Sequence, residues 1–193
     1  NFREYYRRTS TQPQGQYKTF VIRNTNDPNK IETLCQLLNQ HHIRYGRAGV
    51  GSSTKGFDYV SGKEANVNIN PEDLIISAYQ AKSVLLQVLF EPESRLSDSV
   101  TYDITAWALP YAHGLEAYAL KDRLEPKKEY TRNFIPTVIA KATPYAWFFR
   151  RHSLNDMQML SALLQAGVKV RTSTKGFQMD DRSYDPGTLV VSR

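Results

Sequence analysis

The pentapeptide Ser53-Thr54-Lys55-Gly56-Phe57 returns unchanged as Ser173-Thr174-Lys175-Gly176-Phe177. The same succession of apolar, capping and turn residues surrounds both copies, and such self-similarity restricts a chain to folds built from a repeated supersecondary unit. Each copy reads as an apolar strand, an amphipathic helix, a second strand, the pentapeptide as a turn that delivers Phe57 or Phe177 to the core, and a closing strand. The closing strands are Leu74-Ile75-Ile76-Ser77 and Leu189-Val190-Val191-Ser192. Ile43-Arg44-Tyr45 aligns with Val168-Lys169-Val170, 125 positions on, whereas Phe57 aligns with Phe177 at 120 and Leu74 with Leu189 at 115. The first copy therefore carries two five-residue insertions, expected within 47–52 and 61–70, where turn residues dominate and added length is cheap. Two copies are too few for a solenoid. The expected fold class is α/β: a mixed sheet made from two pseudo-repeated strand-helix-strand-strand units with a helical insert between them.

Local signals set the boundaries. Residues 1–16 lack periodicity and read as a terminal arm or linker, and 17–193 as a single α/β domain with repeat one at about 17–78, the insert at about 79–120 and repeat two at about 145–193. Phe20-Val21-Ile22 is a short apolar strand, and Asn26-Asp27-Pro28 opens a helix whose buried stripe is Ile31, Leu34, Cys35 and Leu38. In the second copy Ser153-Leu154-Asn155-Asp156 resembles a capping box, and Gly167 can end the helix in a left-handed conformation. Strands are expected at Ile43–Arg47, Val168–Thr172 and Thr137–Ala140. Ala81, Val84, Leu85, Val88 and Leu89 follow helical spacing up to Glu91-Pro92, and Asp103 is positioned to cap a short helix stopped before Pro110.

The net charge of +6 is concentrated outside the repeats, in residues 1–18 and 121–151, and twelve tyrosines accompany it. A basic and aromatic surface can hold an acidic polymer, cations tracking the anionic groups while rings stack on bases. No RNA-binding signature is present, so solvated loops are the plainer reading and nucleic acid a minor partner. No apolar run approaches the roughly 18 residues of a membrane span. The chain opens at Asn1 in a polar stretch and reads as part of something longer. Cys35 is the lone cysteine and sits on the apolar helix face, as a small buried hydrophobe does.

Catalytic chemistry is poorly supplied. His113-Gly114-Leu115-Glu116 has the His-x-x-Glu spacing of a zinc site, but a catalytic zinc needs a third protein ligand and an open position for water, and His41, His42 and His152 stand elsewhere in the pattern. The plainer reading is a loop histidine beside a solvated glutamate. No nucleophile elbow exists, and an Asp103–His113 acid-base pair competes with the simpler roles of helix cap and loop residue. Lys55-Gly56 and Lys175-Gly176 lack the second glycine and the Gly-Lys-Ser/Thr order of a phosphate loop.

The stretch Asp73 to Tyr118, with Ala78-Tyr79-Gln80, Leu89-Phe90-Glu91-Pro92, Thr101-Tyr102-Asp103-Ile104-Thr105-Ala106-Trp107 and Leu109-Pro110-Tyr111, resembles the C-terminal region of large bacterial zinc carboxypeptidase-like proteins of the carboxypeptidase A superfamily. Weaker similarity runs from about Tyr17 to Val191. The resemblance implies a parent that hydrolyses C-terminal peptide bonds with zinc, an upstream peptidase domain as partner, a downstream amidotransferase-like domain in some members, a peptide or cell-wall substrate, and export from the cytoplasm. Gln80-Ala81 departs from the Gln-Pro pairing of that pattern, and the family's catalytic motif has no counterpart here. The expectation is a noncatalytic accessory region with no catalytic, metal or cofactor residues of its own, presenting Tyr102, Asp103, Trp107 and Tyr111 as an interdomain or ligand surface. The alternatives are a stand-alone module for an acidic polymer and a small enzyme using His113 and Glu116.

Overall fold

The structure is a computed structural model that describes residues 1–93, 108–131, 144–179 and 181–193. The expected α/β class is what it shows: helices packed with sheets, every ladder among the described residues being antiparallel. Where the sequence suggests one domain, the chain divides into two compact units, 1–133 and 134–193. Among the described residues no helix is long and apolar enough to cross a membrane.

In the first unit the stretch expected as an arm contains helix α1 (Phe2–Thr11), opened by the Asn1 side chain accepting from the Arg3 amide. Then come β1 (Thr19–Ile22), α2 (Pro28–Gln40), β2 (Gly46–Arg47), β3 (Ser52–Asp58), β4 (Lys63–Ile69), β5 (Leu74–Ser77), α3 (Ser83–Phe90), α4 (Leu109–Ala112) and β6 (Ala117–Leu120). They form a six-stranded sheet in the order β2-β5-β1-β6-β3-β4. Strands β1 and β5 are buried along their whole length because both sheet faces are covered. Phe20, Ile22, Leu74 and Ile76 meet the α2 stripe and the α3 residues Leu86 and Phe90, while Val21 and Ile75 meet Val67, Ile69 and Leu120 on the other face. Each such side chain contributes about 1.5–3 kcal/mol by leaving water.

The α2 stripe is buried as its spacing requires, at Ile31, Leu34, Cys35 and Leu38. The α3 stripe is not the expected one: Ser83, Leu86, Gln87 and Phe90 face inward, and Val88 is 60% exposed. In a helix that is apolar almost all round, two stripes compete, and the Gln87 amide decides between them by donating to the Tyr17 carbonyl at 2.7 Å. Pro110 lies in the first turn of α4, where a missing N–H costs nothing, and the short helix expected from Asp103 falls outside the described residues.

The second unit contains β7 (Ala146–Phe149), α5 (Leu154–Gln165), β8 (Val170–Thr172), β9 (Phe177–Met179), β10 (Arg182–Tyr184) and β11 (Leu189–Ser192). Strands β7-β11-β8 form one sheet and β9-β10 a separate hairpin. The expected strand Thr137–Ala140 lies outside the described residues.

The repeat is visible in the registers. Phe20↔Ile76 in the first unit corresponds to Trp147↔Val191 in the second, and Arg47↔Leu74 to Thr172↔Leu189. The hairpin registers agree as well: Phe57↔Glu64 matches Phe177↔Tyr184. Even the helix stops agree, since Ile43 N–H bonds Leu38 O and Val168 N–H bonds Leu163 O, each just after a left-handed residue, His42 (φ 55°) and Gly167 (φ 73°). The αL role expected of Gly167 is thus filled by a histidine in the other copy.

The pentapeptide itself departs from expectation. In the first unit it is no turn but the interior of β3, with Ser53 to Gly56 paired to residues 65–68 of β4. In the second, Thr174 and Lys175 are bent and the strand starts only at Phe177. The same residues differ because the second insertion falls on the outer half of β4 and supplies their pairing partner, which the second copy lacks.

Candidate functional site

A groove of about 840 Å³ in the first unit lies where the segment after β6 docks beside β2 and the end of β5. Docking is a backbone matter. Arg47 N–H bonds Lys128 O at 2.8 Å and Lys127 N–H returns to Arg47 O at 2.9 Å, an isolated antiparallel bridge that adds the loop to the sheet edge. Only glycine fits at position 46, because a Cβ there would stand 2.5 Å from Lys128 O and 2.8 Å from the Pro126 Cβ. The buried Gln80 fastens the other wall: its Oε1 accepts from Arg44 N–H at 2.7 Å and its Nε2 donates to Ser77 O at 2.7 Å and Arg44 O at 3.1 Å.

Charge and aromatic area alternate along this groove. The Arg123 guanidinium lies 4.0 Å above the Tyr79 ring while its Nε reaches Glu125 at 2.9 Å, and Glu125 also accepts from Ser77 Oγ at 3.0 Å. The Arg47 guanidinium is spent locally, on the Glu72 carboxylate at 2.6 Å, on Thr131 O at 2.8 Å and over the Tyr130 ring at 5.1 Å. Tyr130 in turn meets Tyr45, ring centroids 5.9 Å apart. Arg44, Lys127 and Lys128 line the same groove, are exposed, and make no ion pair among the described residues. Burial pushes the Tyr45 hydroxyl up to about 12, and pushes its neighbour, the Cys35 thiol, to about 12 as well, so neither is a nucleophile near neutral pH. The surroundings can hold an anionic chain through cations and rings.

Of the surface expected from the sequence, Tyr102, Asp103 and Trp107 lie outside the described residues. Tyr111, on α4, is 39% exposed and continues a packed aromatic row, edge-on to Tyr59 at 5.1 Å, with Tyr59 edge-on to Phe57 at 5.7 Å. It does not line the groove. His113 and Glu116 are drawn into other work. His113 is held below its ordinary value by burial and by the nearby Lys30 ammonium. Glu116 takes Arg23 Nε at 3.5 Å, the Tyr118 hydroxyl at 3.2 Å and the Thr25 hydroxyl at 3.4 Å. Among the described residues no three His, Cys, Asp or Glu side chains are grouped so that they could hold a metal ion.

Comparison with family models, with curated proteins and with solved structures finds no match to this chain.

The groove residues Arg44, Tyr45, Tyr79, Lys127, Lys128 and Tyr130 carry only a compositional trace in the sequence, the charge of 121–151. Their convergence depends on the bridge between Arg47 and Lys128, which joins positions distant in the chain through backbone atoms that carry no side-chain signature.

Proposed function

We propose that this chain is a noncatalytic module that works by binding, and that its groove beside β2 takes an extended anionic polymer. The observation that carries this reading is the set of three exposed cations, Arg44, Lys127 and Lys128, which stand among the rings of Tyr45, Tyr79 and Tyr130 and make no ion pair among the described residues, in a groove that Glu125 and Glu129 also line. Cations supply long-range attraction and rings supply contact area that tolerates variation along a repeating ligand. The resemblance over Asp73 to Tyr118 supports a setting for it: an accessory region of a zinc carboxypeptidase-like protein, in which an upstream peptidase domain holds the zinc and this module binds substrate or wall polymer outside the cytoplasm.

The test is titration of the chain with an anionic polysaccharide and, separately, with single-stranded DNA across a series of salt concentrations. Affinity should fall steeply with salt, since cations bound along a polyanion release counterions. Lys127→Ala with Lys128→Ala should weaken it about tenfold, on the order of 1.4 kcal/mol. Binding unchanged in that double variant, or insensitive to salt, overturns the reading; preference for DNA over the polysaccharide would move the ligand class and with it the peptidase setting.

A further inference from the structure

The segment after β6 brings Lys127, Lys128 and Tyr130 to the groove beside β2, and it is pinned to the sheet at two places. At its start the fully buried Thr19 hydroxyl donates to Asp122 O at 2.8 Å and accepts from Leu124 N–H at 2.8 Å. At its end the bridge between Arg47 and Lys128 sets the register, and the Arg47 side chain reaches past it to Thr131 O at 2.8 Å and over the Tyr130 ring at 5.1 Å. The same guanidinium holds the Glu72 carboxylate at 2.6 Å and the Glu72 carbonyl at 3.1 Å, which ties this end to the turn before β5.

Arg47 does not line the groove; it is 7% exposed and lies beside Ile22, Pro28, Ile31 and Leu74. A cation in such a place persists only while its charge is paired and its N–H groups have acceptors. Two of its partners, Thr131 O and the Tyr130 ring, belong to the docked segment, so lifting that segment leaves the guanidinium short of both. The buried charge thus works against undocking. Its planar fork is what the place demands: one arm serves Glu72, the other reaches Thr131 O, and the flat face meets the ring. A lysine carries the same charge on a single nitrogen and does not span these partners.

We propose that Arg47 is the positioning residue of the groove: shut away from the ligand itself, it fixes the segment bearing Lys127, Lys128 and Tyr130 so that these meet an anionic chain together with Arg44 and Tyr45. Resting on the reading of the groove as a site for an anionic polymer, this makes affinity depend on a buried side chain that acts through geometry rather than through its own charge. Cations already in place bind without first ordering the loop that bears them, and a loosened segment would carry that ordering cost into every binding event.

The test uses the full chain, heparin as the anionic polysaccharide, and Arg47→Lys, which keeps the charge and removes the fork. Affinity per folded molecule should fall about fivefold, but by less than about twofold once Lys127→Ala and Lys128→Ala are present, because a residue acting through these lysines adds little after they are gone. Without ligand, amide exchange at Lys127, whose N–H bonds Arg47 O at 2.9 Å, should quicken about tenfold in Arg47→Lys while Val21 in β1 stays as it was. Glu72→Gln, at a half-exposed residue outside the groove, loosens the same guanidinium with less risk to the fold. It should weaken heparin binding, whereas loss of a carboxylate would by charge alone strengthen it. Full affinity in Arg47→Lys, an additive loss in the triple variant, an unchanged Lys127 amide, or tighter binding by Glu72→Gln overturns the proposal. A wild-type chain that binds neither heparin nor single-stranded DNA overturns the binding reading instead, and the Lys127 amide then decides alone whether Arg47 holds the segment.

Discussion

Glycine 56 and glycine 176 occupy the same place in the shared pentapeptide and stand under different constraints. A Cβ on Gly56 collides with the Leu120 side chain and sits 3.0 Å from Ala119 O, since β6 presses against β3, whereas on Gly176 the tightest neighbour is Tyr184 O at 3.3 Å. Gly56→Ala should therefore cost about 1–3 kcal/mol as an overpacked core does, and Gly176→Ala much less. Chemical denaturation of the two variants checks this, and equal losses would contradict it. His113 supplies a pH dependence. Its folded value lies below the ordinary 6.5 because burial, then Lys30, disfavour the charged ring. Above pH 6.5 it is neutral folded or unfolded and changes nothing; as pH falls below 6.5 the unfolded chain takes up the proton first, so stability drops until pH has passed the folded value. His113→Gln should flatten that part of the stability profile, and a parallel profile would count against the burial argument.

At the scale of elements, the helix ends and the α2 stripe were legible because capping and 3.6-residue periodicity are local. Asp27 caps α2 through the Asn29 amide at 2.8 Å, and Ser153 and Asp156 form a complete capping box on α5 despite the Asp in place of Glu. What was illegible depended on partners distant in sequence. The inward face of α3 is set by Tyr17, the strand character of Ser53-Thr54-Lys55-Gly56 by an inserted half of β4, and the groove beside β2 by the bridge from Arg47 to Lys128. The αL stop at His42 carries a weaker signal than a glycine does, because glycine is the residue that most often ends a helix in this conformation. For α3 the correction is measurable. Leu86→Ala, fully buried, should cost about 2–5 kcal/mol, and Val88→Ala, exposed, under about 0.5 kcal/mol. Thermal unfolding that ranks them the other way would restore the face suggested by spacing.

At the scale of the whole chain, one topology is built twice. The insert between the copies contributes α3 and α4 to the helix side of the first sheet and β6 to its middle, which is why the first unit buries β1 and β5 on both faces. In the second unit α5 buries none of its residues, and Leu154 and Leu164 stand exposed. The duplication was legible in the pentapeptide and the three offsets; the joining of hairpin and sheet by β6 was not, since it depends on pairing between strands distant in sequence. Residue-resolved amide exchange on the unliganded chain tests this directly. Strand β11, flanked by β7 and β8, should be protected at consecutive amides, as should β1, flanked by β5 and β6. A β11 or a β1 that exchanges freely would contradict the duplicated fold.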